Sequence, residues 1–208
     1  MKQFDLADIL AFEQRYRTTF MNSISGFKSL QMVATANKNG VSNLAVFSSI
    51  FHVGANPPYI GMVFRPDGPE HETLINILES GVYTLNNVRT DFYEAAHQTS
   101  ARYPSGESEF KHCGFTEEYI PDFKAPFVKE SNIKLGLALK EVIPVTINNT
   151  KIVIGEVQHI LLDEELVNED GYIDLAKAQS TTVVGLDAYY QTALLGRLKY
   201  AKADNIKS

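Results

Sequence analysis

The sequence predicts a mainly β protein, an antiparallel barrel with peripheral helices. Three observations lead to this fold class. Short apolar segments are separated by tight-turn signals, helical spacing is confined to the chain ends and one crossover, and no linker, repeat or low-complexity block divides the 208 residues. Strands joined by tight turns pair antiparallel, and a few added helices then cover one face or end. We therefore expect one domain over residues 1–208, with a short helical extension over about residues 1–23.

Composition excludes several classes of protein. The hydrophobic share of 44% and the charged share of 21% are those of an ordinary globular chain. A net charge of −6 and a pI near 5.4 leave no basic stripe for a nucleic-acid backbone. No apolar run approaches the ~20 residues of a membrane span, and the first residues carry acids where a signal peptide has a basic start. With Cys113 as the single cysteine, we expect a cytoplasmic protein without disulfides and with no membrane or nucleic-acid partner.

The first half of the chain predicts a helix, a hairpin and a further strand. Apolar residues recur loosely at helical spacing from Phe4 to Phe20. Asn39-Gly40 separates two strand-like segments and marks a hairpin, because both residues tolerate positive φ. Pro57-Pro58 interrupts the pattern, so residues 43–66 are expected to form two strands joined by a proline-containing loop. A short helix, "EHETLINILESG", and a strand, "VYTLNNV", follow.

The second half predicts a helix, a long connection and more strands. Asp91 is a candidate N-cap for a helix through about Arg102. The connection from "YPSGESEF" to "APFVKES" is rich in Pro, Gly and Ser and is expected to be irregular. Two long strands, "NIKLGLALKEVIPVTI" and "KIVIGEVQHILLD", flank a turn at Asn148-Asn149. The segment "TTVVGLDAYYQTALLGRLKYAK" is expected to be a loop followed by a helix.

Common catalytic and cofactor motifs are absent from the sequence. There is no G-x-G-x-x-G after a strand, no G-x-x-x-x-G-K-[ST], no H-E-x-x-H and no G-x-S-x-G. These absences argue against a Rossmann dinucleotide site, a P-loop, a zincin and an α/β-hydrolase. The five histidines are scattered, and only His112 adjoins the cysteine, so no metal site is predicted.

The stretch "NLAVFSSIFHVGANPPYIGMVFRP", residues 43–66, places polar residues among apolar ones. Ser48 and Ser49 lie side by side in a strand-like segment, and Arg65 ends the next one. Solvent-facing serines on an edge strand and an exposed arginine at a strand end would account for each of them separately. What favours a ligand is the order of the motifs around them.

That ordered series resembles the flavin reductase-like family, whose fold is the FMN-binding split barrel. It runs from N-x-A-x-x-S-S through a Pro-Pro loop and a strand ending in Arg-Pro to a T-L-x-N-I helix, a glycine and "YTLNNV". "GESEFKHCGFTEEYIPDFKAPFVKESNIKLGLAL" and "IVIGEVQHILLDEELVNEDGYIDL" continue the resemblance in the same order. The resemblance covers roughly residues 24 to 190 and carries the prediction of a split β-barrel.

The resemblance implies a site for flavin mononucleotide (FMN). Ser48 and Ser49 would bond the phosphate or the ribityl hydroxyls, and the forked guanidinium of Arg65 would bind the phosphate. Thr73, with the N-terminal turn of its helix, and His71 would add donors beside them. The other implied contacts lie along the flavin ring: Asn43, Ala45, Val46, Phe47 and Asn86.

Several of these residues have a simpler alternative. Thr73 could bond its own backbone at a helix start, His71 could be an ordinary surface histidine, and Asn86 could be a turn residue. The long connection, including Ser108 and Glu109, could cover the flavin or serve only to pack the fold.

The resemblance also implies a function. The expected protein is an oxidoreductase that moves a hydride from NADH or NADPH to FMN, with no catalytic side chain required because the flavin supplies the chemistry. The alternative is a flavoredoxin-like FMN electron carrier without efficient NAD(P)H oxidation. Expected partners are a second copy of the chain, with FMN near the homodimer interface, and a flavin-dependent monooxygenase.

Overall fold

The computed structural model describes residues 1–66, 72–104 and 106–202. The α-helices, in chain order, are α1 (Leu6–Ala11), α2 (Gln14–Ile24), α3 (Glu72–Ser80), α4 (Tyr93–Gln98) and α5 (Glu109–Cys113), and a short 3-10 helix spans Glu164–Leu166. The strands are β1 (Lys28–Ser29), β2 (Gln31–Ala36), β3 (Ser42–Phe47), β4 (Ile50–Ala55), β5 (Pro58–Phe64), β6 (Val82–Asn87), β7 (Glu117–Glu118), β8 (Phe127–Val128), β9 (Ile133–Val145), β10 (Thr150–Leu162), β11 (Thr181–Val184) and β12 (Ala188–Gln191).

The main sheet has seven antiparallel strands in the order β3-β2-β6-β9-β10-β5-β4. β3 and β4 are therefore its two outer strands, yet only Ser48 and Ser49 separate them along the chain. Because two residues span only about 7 Å, the two edges must lie close together, and the sheet curls into a split barrel. The prediction of an antiparallel barrel with peripheral helices is confirmed.

The predicted hairpins are confirmed at both turn signals. β2 and β3 pair antiparallel around Gly40, whose φ is +79°. β9 and β10 pair around Asn149, which adopts φ +59°. The short helix and the strand after it are also present, as α3 and β6, with Gly81 between them at φ +74°.

Residues 43–66 contain three strands where the sequence predicted two. The first predicted strand is divided at Ser48-Ser49 into β3 and β4, which belong to opposite edges of the sheet. The proline loop joins β4 to β5, and its Asn56–Pro57 peptide bond is cis. Both β3 and β4 are partly buried, so apolar residues continue across Ser48-Ser49. The sequence pattern therefore does not show that the chain crosses from one edge of the sheet to the other.

Two predictions for the second half were wrong. Asp91 does not cap a helix: its carboxylate pairs with Arg89 at 2.8 Å, and α4 begins at Tyr93 with no side-chain cap. The predicted loop and helix after residue 180 are instead the hairpin β11–β12, which turns at Gly185 (φ +67°) and joins β1 in a three-stranded sheet. The β-branched run Thr181–Val184 suits a strand, and residues 192–202 are exposed and not helical.

Part of the long connection that was expected to be irregular is folded. It contains α5 and the small β7–β8 sheet, in which Glu117 pairs with Val128. The N-terminal extension is a pair of helices, α1 and α2, rather than one, and none of their residues is buried. No helix in the described parts of the chain is both long and apolar enough to cross a membrane.

The apolar core lies on both faces of the main sheet. Alternate residues of β2 point to opposite sides: Val33 packs in a cluster with residues of α3, β5, β6, β9 and β10, whereas Met32 packs in a cluster with residues of α4, α5 and β11. β3 alternates in the same way, which determines where each of its predicted site residues can point.

Candidate functional site at the barrel seam

The Ser48-Ser49 connection, where the two sheet edges meet, carries hydroxyl groups that the fold does not use. Both serines are half-buried. The Ser49 carbonyl accepts a hydrogen bond from Val63 N at 2.9 Å, which fixes the connection against β5. Neither serine hydroxyl has a hydrogen-bond partner within the described ranges, so both remain available to a ligand.

Two cations lie beside this connection. Arg65 follows the end of β5, is exposed, and donates a long hydrogen bond of 3.4 Å to Asn22 Oδ1. Lys28, in β1, donates to the Gly185 carbonyl at 3.3 Å. Burial lowers the pKa of the Lys28 ammonium, and the positive charge of Arg65 lowers it further. Among the described residues neither cation has a carboxylate partner, so the pair forms a local excess of positive charge.

β1 lies beside the start of β4, so Lys28 belongs to a strand next to the connection. The Ser29 hydroxyl donates to the Ile50 carbonyl at 2.7 Å, one residue beyond Ser49. We refer to Lys28, Ser29, Ser48, Ser49 and Arg65 as the seam cluster. Ser48, Ser49 and Arg65 are predictable from the sequence. Lys28 and Ser29 are not, because no local motif marks them and only the tertiary fold brings β1 beside β4.

Thr73 is buried and has a partner inside the protein. Its Oγ1 accepts a hydrogen bond from Asn43 Nδ2 at 3.0 Å, and both residues are 6% exposed. Asn43 precedes Ser48 by five residues, about 16 Å along an extended strand. The Thr73 hydroxyl thus accepts one hydrogen bond inside the protein, and its grouping with Arg65 as phosphate donors stays a prediction. His71, which was predicted to join them, lies outside the described residues.

The ring-contact candidates of β3 point to alternate sides. Ala45 pairs with Val33 and Val46 with Met32, so their side chains belong to opposite faces of the sheet. The Phe47 ring packs on Phe64 with a centroid distance of 5.0 Å. The side chains of Val46 and Phe47 therefore cannot both line one pocket. The surface that the two residues share is the unpaired backbone edge of β3.

Asn86 is an internal structural residue. It is fully buried, and its Nδ2 donates to the Met32 carbonyl at 3.2 Å and to Thr84 Oγ1 at 2.9 Å. Its Oδ1 accepts from Val128 N at 2.9 Å. Because both amide hydrogens are used inside the protein, Asn86 has none to donate to a ligand and instead joins β6 to β2 and β8.

The segment around α5 covers part of the outer edge of β3. Glu109 Oε2 accepts from Leu44 N at 2.9 Å, and the Ser42 hydroxyl lies 2.6 Å from that of Ser108. Burial of the Glu109 carboxyl raises its pKa above the usual value, despite the backbone hydrogen bond from Leu44. This part of the long connection therefore packs on β3 near its start, away from the Ser48-Ser49 end.

One cleft is lined by none of the seam-cluster residues. This cleft of about 400 Å³ lies between α2 and the β11–β12 turn and is lined by residues that include Glu13, Arg15, Thr18 and Asp187. Lys28 and Arg65 do not line this cleft, and its lining includes the carboxylates of Glu13 and Asp187. The cleft is therefore a poorer candidate for an anion site than the seam cluster. The seam cluster is the site whose chemistry points to a ligand.

Comparison with known proteins identifies the family. The family model described as "Flavin reductase like domain" matches residues 24–182. The chain belongs to the flavin reductase-like family. This family assignment makes the protein a flavin-dependent oxidoreductase, and it confirms the resemblance seen in the ordered motifs.

Solved structures agree with the assignment. A candidate flavin reductase with a split barrel domain from Shewanella frigidimarina is 47% identical, covers 97% of this chain and 100% of its own, and superposes with a TM-score of 0.93. Two more distant structures share the fold. Nitrilotriacetate monooxygenase component B from Bacillus cereus is 23% identical, with 95% and 98% of the two chains covered and a TM-score of 0.83. Flavoredoxin of Desulfovibrio vulgaris is 22% identical, with 86% and 92% covered and a TM-score of 0.69.

The seam cluster fits the phosphate end of a flavin mononucleotide. A phosphate monoester is a dianion with three strong acceptor oxygens, and it is bound best by guanidinium, ammonium and hydroxyl donors. The cluster offers the Lys28 ammonium and the Arg65 guanidinium. Ser48 and Ser49 add two hydroxyls with no described protein partner. The donor set therefore matches the group that the family implies.

Proposed function

We propose that the protein binds FMN with its phosphate at the seam cluster and reduces it with NADH or NADPH. The observation that supports this most directly is the pair of cations, Lys28 and Arg65, beside two serine hydroxyls that the fold leaves unused. An isolated cluster of like charges destabilises a folded protein unless an anion offsets it, so a bound phosphate is the natural counter-charge.

The seam cluster, β3 and α3 each have a role in holding FMN in this proposal. Arg65 binds the phosphate, and Ser48 and Ser49 bond the phosphate or the first ribityl hydroxyl. The outer backbone edge of β3, from Asn43 through Ala45 and Val46 to Phe47, faces the polar rim of the flavin ring. The buried hydrogen bond from Asn43 to Thr73 holds α3 against that strand.

The remaining predicted residues act indirectly in this proposal. Asn86 holds β6 in register with β2 and so supports β3 from behind. His71 precedes α3 and is proposed as an additional donor to the ligand. Bound FMN supplies hydride acceptance and onward electron transfer, while the chain's own residues bind it, orient it and set its exposure to water.

Two partners belong to the proposal. A second copy of the chain is proposed to cover the flavin, because the seam cluster lies open on the surface of one chain, with Arg65 exposed. A flavin-dependent monooxygenase is proposed as the acceptor of the reduced flavin. The structural similarity to a monooxygenase component B supports this choice through the fold alone.

Absorption spectroscopy without air tests the proposal. The purified protein, supplied with FMN, is expected to show flavin bands that bleach rapidly when NADH or NADPH is added. Bands that persist with both nicotinamides and bleach only with dithionite would favour the electron carrier. If the protein does not bind FMN when FMN is supplied at about the protein concentration, the proposed function is refuted.

A further inference from the structure

Lys28 is a half-buried cation that the family assignment and the sequence motifs leave without a role. It lies in the two-residue strand β1, which pairs with β11, and its Nζ reaches the carbonyl of Gly185 at the β11–β12 turn. That single hydrogen bond to a neutral acceptor, at 3.3 Å, uses one of the three donors of the ammonium group. Two donors remain.

A second cation makes the position of Lys28 costly. The charge of Arg65 is close enough to act on the ammonium, and burial acts in the same direction. Arg65 itself has only the long hydrogen bond to Asn22. Placing two like charges together with no described carboxylate between them is unfavourable, and a bound anion would offset this repulsion.

The hydroxyl groups beside Lys28 fit the same anion. β1 is attached to the start of β4 by the hydrogen bond from Ser29 Oγ to the Ile50 carbonyl, at 2.7 Å. Ser49 is the residue before Ile50, and Val63 N, two residues before Arg65, donates to the Ser49 carbonyl at 2.9 Å. Lys28 and Arg65 therefore belong to two segments, β1 and the end of β5, that both lie next to the start of β4.

We propose that Lys28 is a second cation of the phosphate site and sets the preference of the protein for phosphorylated over unphosphorylated flavin. This inference rests on the proposed function. The ammonium bridges the phosphate and the Gly185 carbonyl, so that phosphate binding also fixes the β11–β12 turn against the barrel. Lys28 is a positioning and specificity residue, and it takes no part in hydride transfer.

The test compares FMN with riboflavin, which lacks the phosphate. Dissociation constants for both flavins are measured by equilibrium dialysis on flavin-free protein, for wild type, Lys28→Gln and Lys28→Arg. Lys38→Gln removes the same charge from the exposed β2–β3 turn and serves as the matched control. The expected result is FMN affinity at least about tenfold weaker in Lys28→Gln, the effect of losing one charge-assisted hydrogen bond. Riboflavin affinity should be unchanged, and Lys28→Arg should retain most of the FMN affinity.

Each other outcome overturns the inference. Unchanged FMN affinity in Lys28→Gln would mean that the phosphate lies elsewhere. Equal loss of both flavins would mean that Lys28 only supports the fold through Gly185.

Failure of the proposed function gives a different pattern. If wild type binds neither flavin, inorganic phosphate or pyrophosphate becomes the probe. Thermal stabilisation of wild type and of Lys38→Gln, absent in Lys28→Gln, would still support an anion site at Lys28. No stabilisation of wild type would overturn it.

Discussion

The Tyr83 hydroxyl is buried in the barrel with no partner among the described residues, and its removal is expected to stabilise the protein. Tyr83 is 0% exposed, its Oη forms no hydrogen bond within the described ranges, and burial strongly raises its pKa, so it stays neutral. A buried polar group left unpaired costs about 1–3 kcal/mol. Tyr83→Phe keeps the ring, and we expect it to raise the free energy of unfolding by about 1–2 kcal/mol.

Gly155 provides a second, coupled test of the same packing. A Cβ at Gly155 would lie 2.2 Å from Tyr83 Oη, and the next nearest atom is Tyr83 Cζ at 2.9 Å. Gly155→Ala is therefore expected to destabilise wild type by about 2 kcal/mol or more, in the range of overpacked cores. In the Tyr83→Phe background the closest clash is removed, so the same substitution should cost measurably less.

Urea unfolding of the four proteins in this double-mutant cycle measures both effects. Tyr200→Phe, at a residue that is 89% exposed, is the control for loss of a tyrosine hydroxyl and should change the stability by less than about 0.5 kcal/mol. A Tyr83→Phe variant less stable than wild type would refute the reasoning, because it would show that the hydroxyl is satisfied. Additive effects of Tyr83→Phe and Gly155→Ala would refute the proposed contact.

Three further predictions concern the site and the strand that borders it. Arg65→Gln should weaken FMN binding about tenfold or more by equilibrium dialysis, with riboflavin unaffected; equal weakening of both flavins would contradict a phosphate contact. Thr73→Val leaves the Asn43 amide without its buried acceptor and should lower the urea-unfolding free energy by about 1–3 kcal/mol, whereas a neutral result would show that the bond contributes little. The folded-state pKa of Glu109 is raised, so the folded protein holds its proton more tightly, and this contribution to stability is lost as pH rises through the folded pKa. Glu109→Gln, which keeps an acceptor for Leu44 N, should therefore gain stability relative to wild type in urea unfolding as the pH rises above the ordinary carboxyl pKa of 4.5; a relative loss would contradict the sign.

Much of the fold follows from local signals in the sequence. Asn39-Gly40 and Asn148-Asn149 predicted the two main hairpins because the turns require backbone conformations that these residues tolerate. The β11–β12 hairpin was missed because its turn at Gly185 carries no Asn-Gly or Asn-Asn pair. Its further partner, β1, is only two residues long and more than 150 residues away, so that pairing has no local signal in the sequence.

The site was predictable only in part, for the same reason. Ser48, Ser49 and Arg65 lie close in sequence and in an order that the family shares. Lys28 meets Gly185 across a separation of 157 residues, and nothing near either residue in the chain marks the contact. The grouping of Thr73 with Arg65 stays a prediction, because the Thr73 hydroxyl has a buried partner in Asn43 and the residues just before α3 lie outside the described ranges.

The most direct test of the central claim is a crystal structure of the protein with FMN. The account predicts phosphate oxygens within hydrogen-bonding distance, about 3 Å, of the Arg65 guanidinium and the Lys28 ammonium, with the ribityl chain leading toward the outer edge of β3. A phosphate bound instead at the N-terminus of α3 beside Thr73, with Lys28 and Arg65 in solvent, would contradict it.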